Sequence, residues 1–212
     1  MSAKIISFAD HRANVTDPVL MQVEAYWDGL RNGRAVPSRA EVDPRGLSDI
    51  LPHCFILERV GGGFARFRVY GRHVADLMDA ELRELPISAV FAASDRDTVT
   101  DLMAQVFDRP AAARLVVESA PGILRKPIVS YISLLPLRDD LGAVSRVLGC
   151  VSVQGDITKG GRPLTIAAKS LREISEGVGF VPETRLASRI PAPKDVEVEE
   201  TQNVVQLPLN AD

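Results

Sequence analysis

The chain has few of the residues that usually mark a metal or disulfide site. Its two cysteines, Cys54 and Cys150, are too few for a disulfide framework and lack the spacing of a zinc site. The three histidines do not show metal-ligand spacing either. We therefore expect both cysteines to be small core residues, and we predict no metal site and no resident cofactor.

Long apolar runs and an excess of basic charge are also missing. No stretch approaches the ~20 apolar residues that a membrane-spanning helix needs, and the first residues, MSAKIISFADHR, lack the apolar segment of a secretory signal. Residues 181–212 contain six acidic and three basic side chains, so the net charge of −3 falls in this segment and the rest is balanced. We predict a cytoplasmic protein with neither a membrane nor a nucleic acid as partner.

Aromatic residues make up only 5% of the chain, so a core must be built mainly from aliphatic side chains. The clearest pattern is a hairpin, in which apolar residues alternate over 54–60 and 64–70 around the turn Gly61-Gly62-Gly63. If Arg66 and Arg68 share the solvent face of the second strand, Ala65, Phe67 and Val69 line its buried face.

The N-terminal part predicts an amphipathic helix from Asp17-Pro18 to near Gly33. Asp17 can cap the first free N–H groups, and Pro18 suits the first helical position. This helix must bury its apolar stripe against the body of the protein or against a second copy, and we expect a homodimer through it. The stripe residues in this dimer prediction are Val19, Val23, Trp27 and Leu30.

Further along, Ser94 with Asp97 predicts a capping box for a helix ending near Arg109-Pro110. Strands are predicted at 113–119, 128–138 and 147–154, and the last has two buried faces. Apolar residues at helical spacing then predict a C-terminal helix. The predicted segments are a flexible N-terminus (1–16), a helical cap (17–52), a central domain (53–155), the C-terminal helix (156–179) and a disordered acidic tail (180–212).

Residues 20–155 resemble a PAS-like family of alphaproteobacterial single-domain proteins. The matching positions are Tyr26, Trp27, Pro37, Ser38, Arg39, Asp43, Pro44, Leu51, Pro52, Arg66, Phe67, Arg68 and Gly71. The resemblance implies an α+β fold with a five-stranded antiparallel sheet, helices on one face and an N-terminal helical cap. It also implies sensing or signalling, commonly as dimers. The haem and flavin sites of PAS domains are not expected, since residues 95–108 contain no histidine and residues 72–93 no cysteine.

The best candidate for a small-molecule pocket is the apolar space between the sheet and the helices. Its predicted lining residues are Phe55, Leu57, Phe67, Val69, Leu77, Met78, Phe91, Leu102, Val106 and Tyr131. The same residues could simply form the core that a fold of this size needs. A cavity is favoured only if a polar group, such as the Tyr131 hydroxyl or Ser133, points inward without a partner.

Two other groups of residues have both a structural and a functional interpretation. His53 and Cys54 are adjacent on a strand and so point to opposite faces, which argues against a catalytic dyad. We expect His73 to be a surface or capping residue. The arginines at 31, 34, 39 and 45 could bind an anion, but nearby acids favour internal salt bridges. We expect Arg39 and Asp43 to be structural.

Three functional hypotheses remain open after these observations. The first is a non-enzymatic sensory module that relays a small-molecule or partner signal to a regulatory protein. The second is a ligand-free adaptor that recruits partners through its helical cap and its residues Val204 to Leu209. The third is a small enzyme, which would require Tyr131, His53 or His73 to meet a carboxylate in one cleft.

Overall fold

One antiparallel sheet organises the protein, whose computed structural model describes residues 17–120, 127–154 and 161–177. Its strands are β1 (Cys54–Gly61), β2 (Phe64–Tyr70), β3 (Ala111–Ser119), β4 (Val129–Arg138), β5 (Val144–Gln154) and β6 (Leu164–Glu173). They lie in the order β2-β1-β5-β4-β3-β6. The helices are α1 (Pro18–Arg31), α2 (Arg72–Met78) and α3 (Arg96–Asp108). The predicted α+β class and antiparallel sheet are confirmed, although the sheet has six strands rather than five.

The sixth strand replaces the predicted C-terminal helix. Residues 164–173 pair antiparallel with β3, from Leu164 opposite Ser119 to Glu173 opposite Ala111. Apolar residues at helical spacing suggested a helix, but β3 offers a full row of backbone donors and acceptors that a strand can satisfy and a helix cannot. The predictions of a flexible N-terminus (1–16) and a disordered acidic tail (180–212) lie outside the described residues, as do residues 121–126, 155–160 and 178–179.

Helix α1 covers one face of the sheet. Asp17 caps it by accepting hydrogen bonds from the N–H groups of Val19 (3.0 Å) and Leu20 (3.1 Å), as predicted, and it ends at Asn32 in a left-handed conformation. Val23 and Trp27 are fully buried, and the Trp27 indole N–H donates to the Pro136 carbonyl at 2.9 Å.

This packing bears on the dimer prediction. Val23 and Trp27 are buried against the sheet of their own chain, while Val19 and Leu30 are half-buried beside them. Two of the four stripe residues are thus covered by their own chain, and the other two keep part of their surface exposed. Dimerisation through α1 stays a prediction.

Polar contacts also hold α1 on the sheet. The fully buried Glu24 carboxylate accepts two hydrogen bonds from Arg114 on β3 (2.6 and 2.5 Å) and one from Ser133 on β4 (2.9 Å). Asp17 accepts a hydrogen bond from Ser152 on β5 at 2.6 Å. Because a buried carboxylate is tolerated only when its charge and oxygens are satisfied, these contacts fix the helix at two points along its length.

Helices α2 and α3 cover the opposite face. The buried stripe of α3 packs there in the largest apolar cluster, with inward residues from all six strands. It consists of Val99, Leu102, Met103, Val106 and Phe107. The predicted capping box of α3 is wrong, since no side chain caps its first turn. The Asp95 carboxylate, at that position, instead accepts from the Ile166 N–H of β6 at 3.0 Å.

Candidate functional site

Most of the predicted pocket residues meet in the core between the sheet and helices α2 and α3. Seven of them are at most 3% exposed, and Met78 packs at the margin of this core. The seven are Phe55, Leu57, Phe67, Leu77, Phe91, Leu102 and Val106. Their close packing fits the structural interpretation, in which these side chains make the core that the fold needs.

Val69 and Tyr131 do not belong to this core, so the prediction that they line it together with the other residues is wrong. Leu57 pairs with Phe67 but its neighbour Ile56 pairs with Val69, so Arg68 is an extra residue and the alternation of β2 shifts. Val69 therefore lies on the other face of the sheet, 56% exposed. Tyr131 packs under α1 in a separate small cluster, with Leu20.

Ser130 is a polar side chain inside this core, and it was not among the predicted residues. The predicted Ser133 faces α1 and donates to Glu24. Ser130 lies opposite Val117 and Val153 on the face towards α2 and α3, and it is fully buried. Its hydroxyl has no hydrogen-bond partner among the described residues. The alternation of Ile128, Ser130 and Ile132 along the predicted strand 128–138 was the signal that could have identified it.

A separate apolar groove of about 460 Å³ opens beside the β1–β2 hairpin, under the short 3-10 turns that follow α1. We call it the cap groove. Its lining residues come from these turns, from β1 and β5, and from the end of β2 and start of α2. They are Arg39, Val42, Pro44, Leu47, Ser48, Leu51, Pro52, Cys54, Phe55, Ile56, Val69, Tyr70, Gly71, Arg72 and Leu148. Only Phe55 and Val69 were among the predicted pocket residues.

Close backbone contacts hold the walls of the cap groove together. A Cβ on Gly71 would lie 2.3 Å from the Pro52 carbonyl oxygen, so only glycine lets the end of β2 approach the turn at Leu51–His53. The Tyr26 hydroxyl donates to the Asp43 carbonyl (3.1 Å) and accepts from the Asp43 N–H (2.8 Å). Tyr26 thereby ties the wall of the groove to α1, and Asp43 is structural as predicted.

Comparison with known protein families agrees with this architecture. A family profile described as a PAS domain matches residues 15–152, well over half of the chain. The chain belongs to the PAS domain family. No curated protein matches it significantly. The match ends near the end of β5, before β6, and it covers β1 to β4, most of β5 and all three helices. In the described part of this PAS domain, no helix is long and apolar enough to cross a bilayer.

The arginines of the cap region divide into two groups. Arg31 bonds to the Asp28 carboxylate (2.9 Å) and lies 5.2 Å from the centre of the Trp27 ring, while Arg34 pairs with Glu41 at 2.7 Å. The predicted internal salt bridges are confirmed for these two. Arg39 is different, because it lines the cap groove and its guanidinium group has no hydrogen-bond or ion-pair partner among the described residues. The expected structural contact of Arg39 is therefore not formed.

His53 and His73 form a pair beside the groove, which corrects the prediction of a surface or capping role for His73. The Nδ1 of His53 lies 3.0 Å from the Val151 carbonyl oxygen, and its Nε2 lies 2.9 Å from Nδ1 of His73. If His53 donates to the carbonyl, its Nε2 accepts from His73. Burial, more than the neighbouring His73, lowers the pKa of His53, although the Val151 carbonyl and Asp17 oppose this effect.

The remaining candidate residues are the two cysteines and Tyr131. Cys54 and Cys150 face each other across β1 and β5 as free, buried thiols, as expected of core residues. The hydrogen bond with Cys54, together with burial, raises the pKa of the Cys150 thiol and so disfavours the reactive thiolate. Tyr131 packs in the small cluster with Leu20, while His53 and His73 pair beside the groove. The enzyme hypothesis stays a prediction.

Proposed function

We propose that this PAS domain is a sensory module without catalytic activity of its own, and that its signal binds in the cap groove. The observation that supports this proposal is the groove itself. A volume of about 460 Å³ lies within the usual range of small-molecule pockets, and its lining is mostly apolar with a few polar groups. We further propose that the module acts in the cytoplasm and passes the signal to a regulatory protein.

The polar groups at the groove favour a ligand with an apolar body and an anionic group. The Arg39 guanidinium group has no partner among the described residues, and that of Arg72 makes only a long, exposed contact of 3.5 Å with Asp76. Both guanidinium groups can therefore turn to an anion at small cost. Ser48 adds a hydroxyl to the same lining.

A physical connection runs from the groove to the far end of α1. Tyr26 bonds to the groove wall at Asp43, and Arg31, five residues further along the helix, donates to the Ser175 carbonyl at 2.7 Å. A ligand that binds one position of the wall better than another would bias α1 and the segment after β6. This is the proposed relay, and it requires the two positions to differ in ligand affinity.

Binding of anilinonaphthalene sulfonate, an apolar anion that fluoresces in apolar sites, tests the proposal. We expect saturable binding to the folded chain that Val69→Asp weakens strongly, because the new carboxylate lies in the groove and repels the probe. Val60→Asp is the matched control, since Val60 is exposed on the same hairpin and lies outside the groove lining. Equal binding by both variants would remove the groove from the proposal.

Native mass spectrometry of the protein purified from its host identifies the natural ligand. A bound small molecule that is lost on denaturation, and that is absent from the Val69→Asp protein, would support the sensory function. A protein without any bound mass, from which anilinonaphthalene sulfonate also fails to give saturable binding, would contradict it.

A ligand-free adaptor is the second candidate, and the close packing of the predicted pocket residues favours it. In this case partner recruitment depends on the cap and on residues 204–209, which lie outside the described residues. Deletion of residues 196–212 would weaken the capture of protein partners and leave probe binding in the groove unchanged. If the deletion leaves partner capture unchanged, the tail has no part in recruitment.

A further inference from the structure

Strand β6 is the outer strand of the sheet and lies outside the matched PAS region. Half of its outer edge is closed. The Leu164 carbonyl accepts from the Ala92 N–H at 2.8 Å, and the Ile166 N–H donates to Asp95. From Lys169 to Glu173, no described residue bonds to the outer edge. An open strand edge is a template for pairing with another strand.

The register of β6 shows which backbone groups face this open edge. The Ile174 N–H donates to the Pro110 carbonyl at 3.2 Å, and Glu173 lies opposite Ala111. Because hydrogen-bonded and non-hydrogen-bonded pairs alternate along antiparallel strands, the even positions 172 and 170 bond to β3. The N–H and C=O groups of Lys169, Leu171 and Glu173 therefore point outward.

We propose that β6 of a second copy of this chain pairs with this edge, antiparallel about a two-fold axis at Leu171. In this register Lys169 lies opposite Glu173 of the second copy, and the same ion pair repeats across the axis. The two copies of Leu171, each 38% exposed, face each other. Three facing pairs of outward residues give about six backbone hydrogen bonds. The result is one continuous sheet through both copies.

Charge selects this register over its neighbours. A two-fold axis at residue 169 would place the two copies of Lys169 face to face. An axis at residue 172 would do the same with two arginines, and an axis at residue 173 with two glutamates. Like charges directly opposite each other are destabilising. An axis at residue 170 brings Lys169 opposite Leu171 and forms no ion pair. Only the axis at Leu171 pairs every exposed charge on this face of the edge with its opposite.

Charge reversal tests the interface by sedimentation velocity of the full chain over a wide concentration range. Lys169→Glu and Glu173→Lys each convert two ion pairs into two like-charge pairs. Each change should weaken self-association at least about tenfold. The double variant Lys169→Glu/Glu173→Lys restores both ion pairs and should restore association. Asp101→Lys, on the exposed side of α3, is the control for charge alone and should change nothing.

Each outcome decides the proposal. A wild-type chain that stays monomeric would show that the charges protect the edge from pairing, and it would overturn the proposal. A dimer that neither single reversal weakens, or that the double variant does not restore, would overturn the β6 interface. Unfolding temperatures close to wild type would exclude loss of folding, because Lys169 and Glu173 are exposed.

A cysteine at the axis gives an independent measurement. Paired residues at the axis have Cα atoms about 5.5 Å apart, within the range of a disulfide. Leu171→Cys should therefore form a disulfide-linked dimer with oxidised glutathione, whereas Val69→Cys, exposed on the strand at the opposite edge, should not. The natural cysteines are buried and do not compete. Equal cross-linking of both variants would contradict the proposal.

Discussion

Replacing Trp27 should separate the contribution of apolar packing from that of the Trp27 hydrogen bond in holding α1 on the sheet. The side chain is fully buried, donates to Pro136 and lies beneath the Arg31 guanidinium. Trp27→Ala removes all three contacts and leaves a cavity, for which large-to-small core changes predict a loss of roughly 3–5 kcal/mol. Trp27→Phe keeps an aromatic ring and loses the hydrogen bond, so it should cost about 1–2 kcal/mol.

Urea unfolding followed by far-UV circular dichroism is the suitable assay, because Trp27 is the only tryptophan and fluorescence is lost with it. Met21→Ala is the matched control, since Met21 is 38% exposed on the same helix and should change the unfolding free energy by less than about 1 kcal/mol. If Trp27→Ala unfolds at the wild-type urea concentration with an unchanged slope, the docking of α1 does not contribute to the stability of the fold.

Three further changes test the buried charges, the glycine contacts and the histidine pair. Glu24→Leu removes the carboxylate that pairs with the Arg114 charge, so it should lower the unfolding free energy by about 3–5 kcal/mol. Glu24→Leu/Arg114→Leu should recover most of this loss, and a double variant as unstable as the single one would contradict the expectation. Gly149→Ala should lower the unfolding free energy by about 1–3 kcal/mol, because its Cβ would meet the Phe55 ring at 2.1 Å. Gly29→Ala has open space around it and should raise the unfolding free energy by up to ~1 kcal/mol, measured by thermal unfolding. His53 has a folded-state pKa below its ordinary 6.5, so its contribution to stability is full at pH values well above 6.5 and is lost as the pH falls through 6.5 towards the lower folded-state pKa. His53→Phe should flatten this decrease in urea unfolding.

The sequence predicted the elements whose signals are local. Asp17-Pro18 and the apolar stripe gave the start of α1 and its buried face, because a capped amphipathic helix needs little else to be recognised. Strand β6 could not be predicted in this way. Its apolar residues fit a helix as well as a strand, and the open edge of β3 decided between them.

The candidate site was predicted less well because it depends on register and on distant contacts. One bulged residue, Arg68, turned Val69 from the core to the cap groove, and no local pattern marks such a bulge. The groove joins the segment around Leu47, the end of β2 and Leu148, which are far apart in the chain. Only the packed sheet brings them together.

The two edges of the sheet suggest how the proposals can be related. The cap groove lies at the β1–β2 edge, and the open half of β6 lies at the other, four strands away. Helix α1 is the element that contacts both regions, through Tyr26 at the groove wall and Arg31 at Ser175, two residues after β6. If a ligand in the groove alters the position of α1 on the sheet, it should change the self-association of β6. If the ligand alters neither the position of α1 nor the self-association, the groove and the edge act independently, and the relay must leave through another surface.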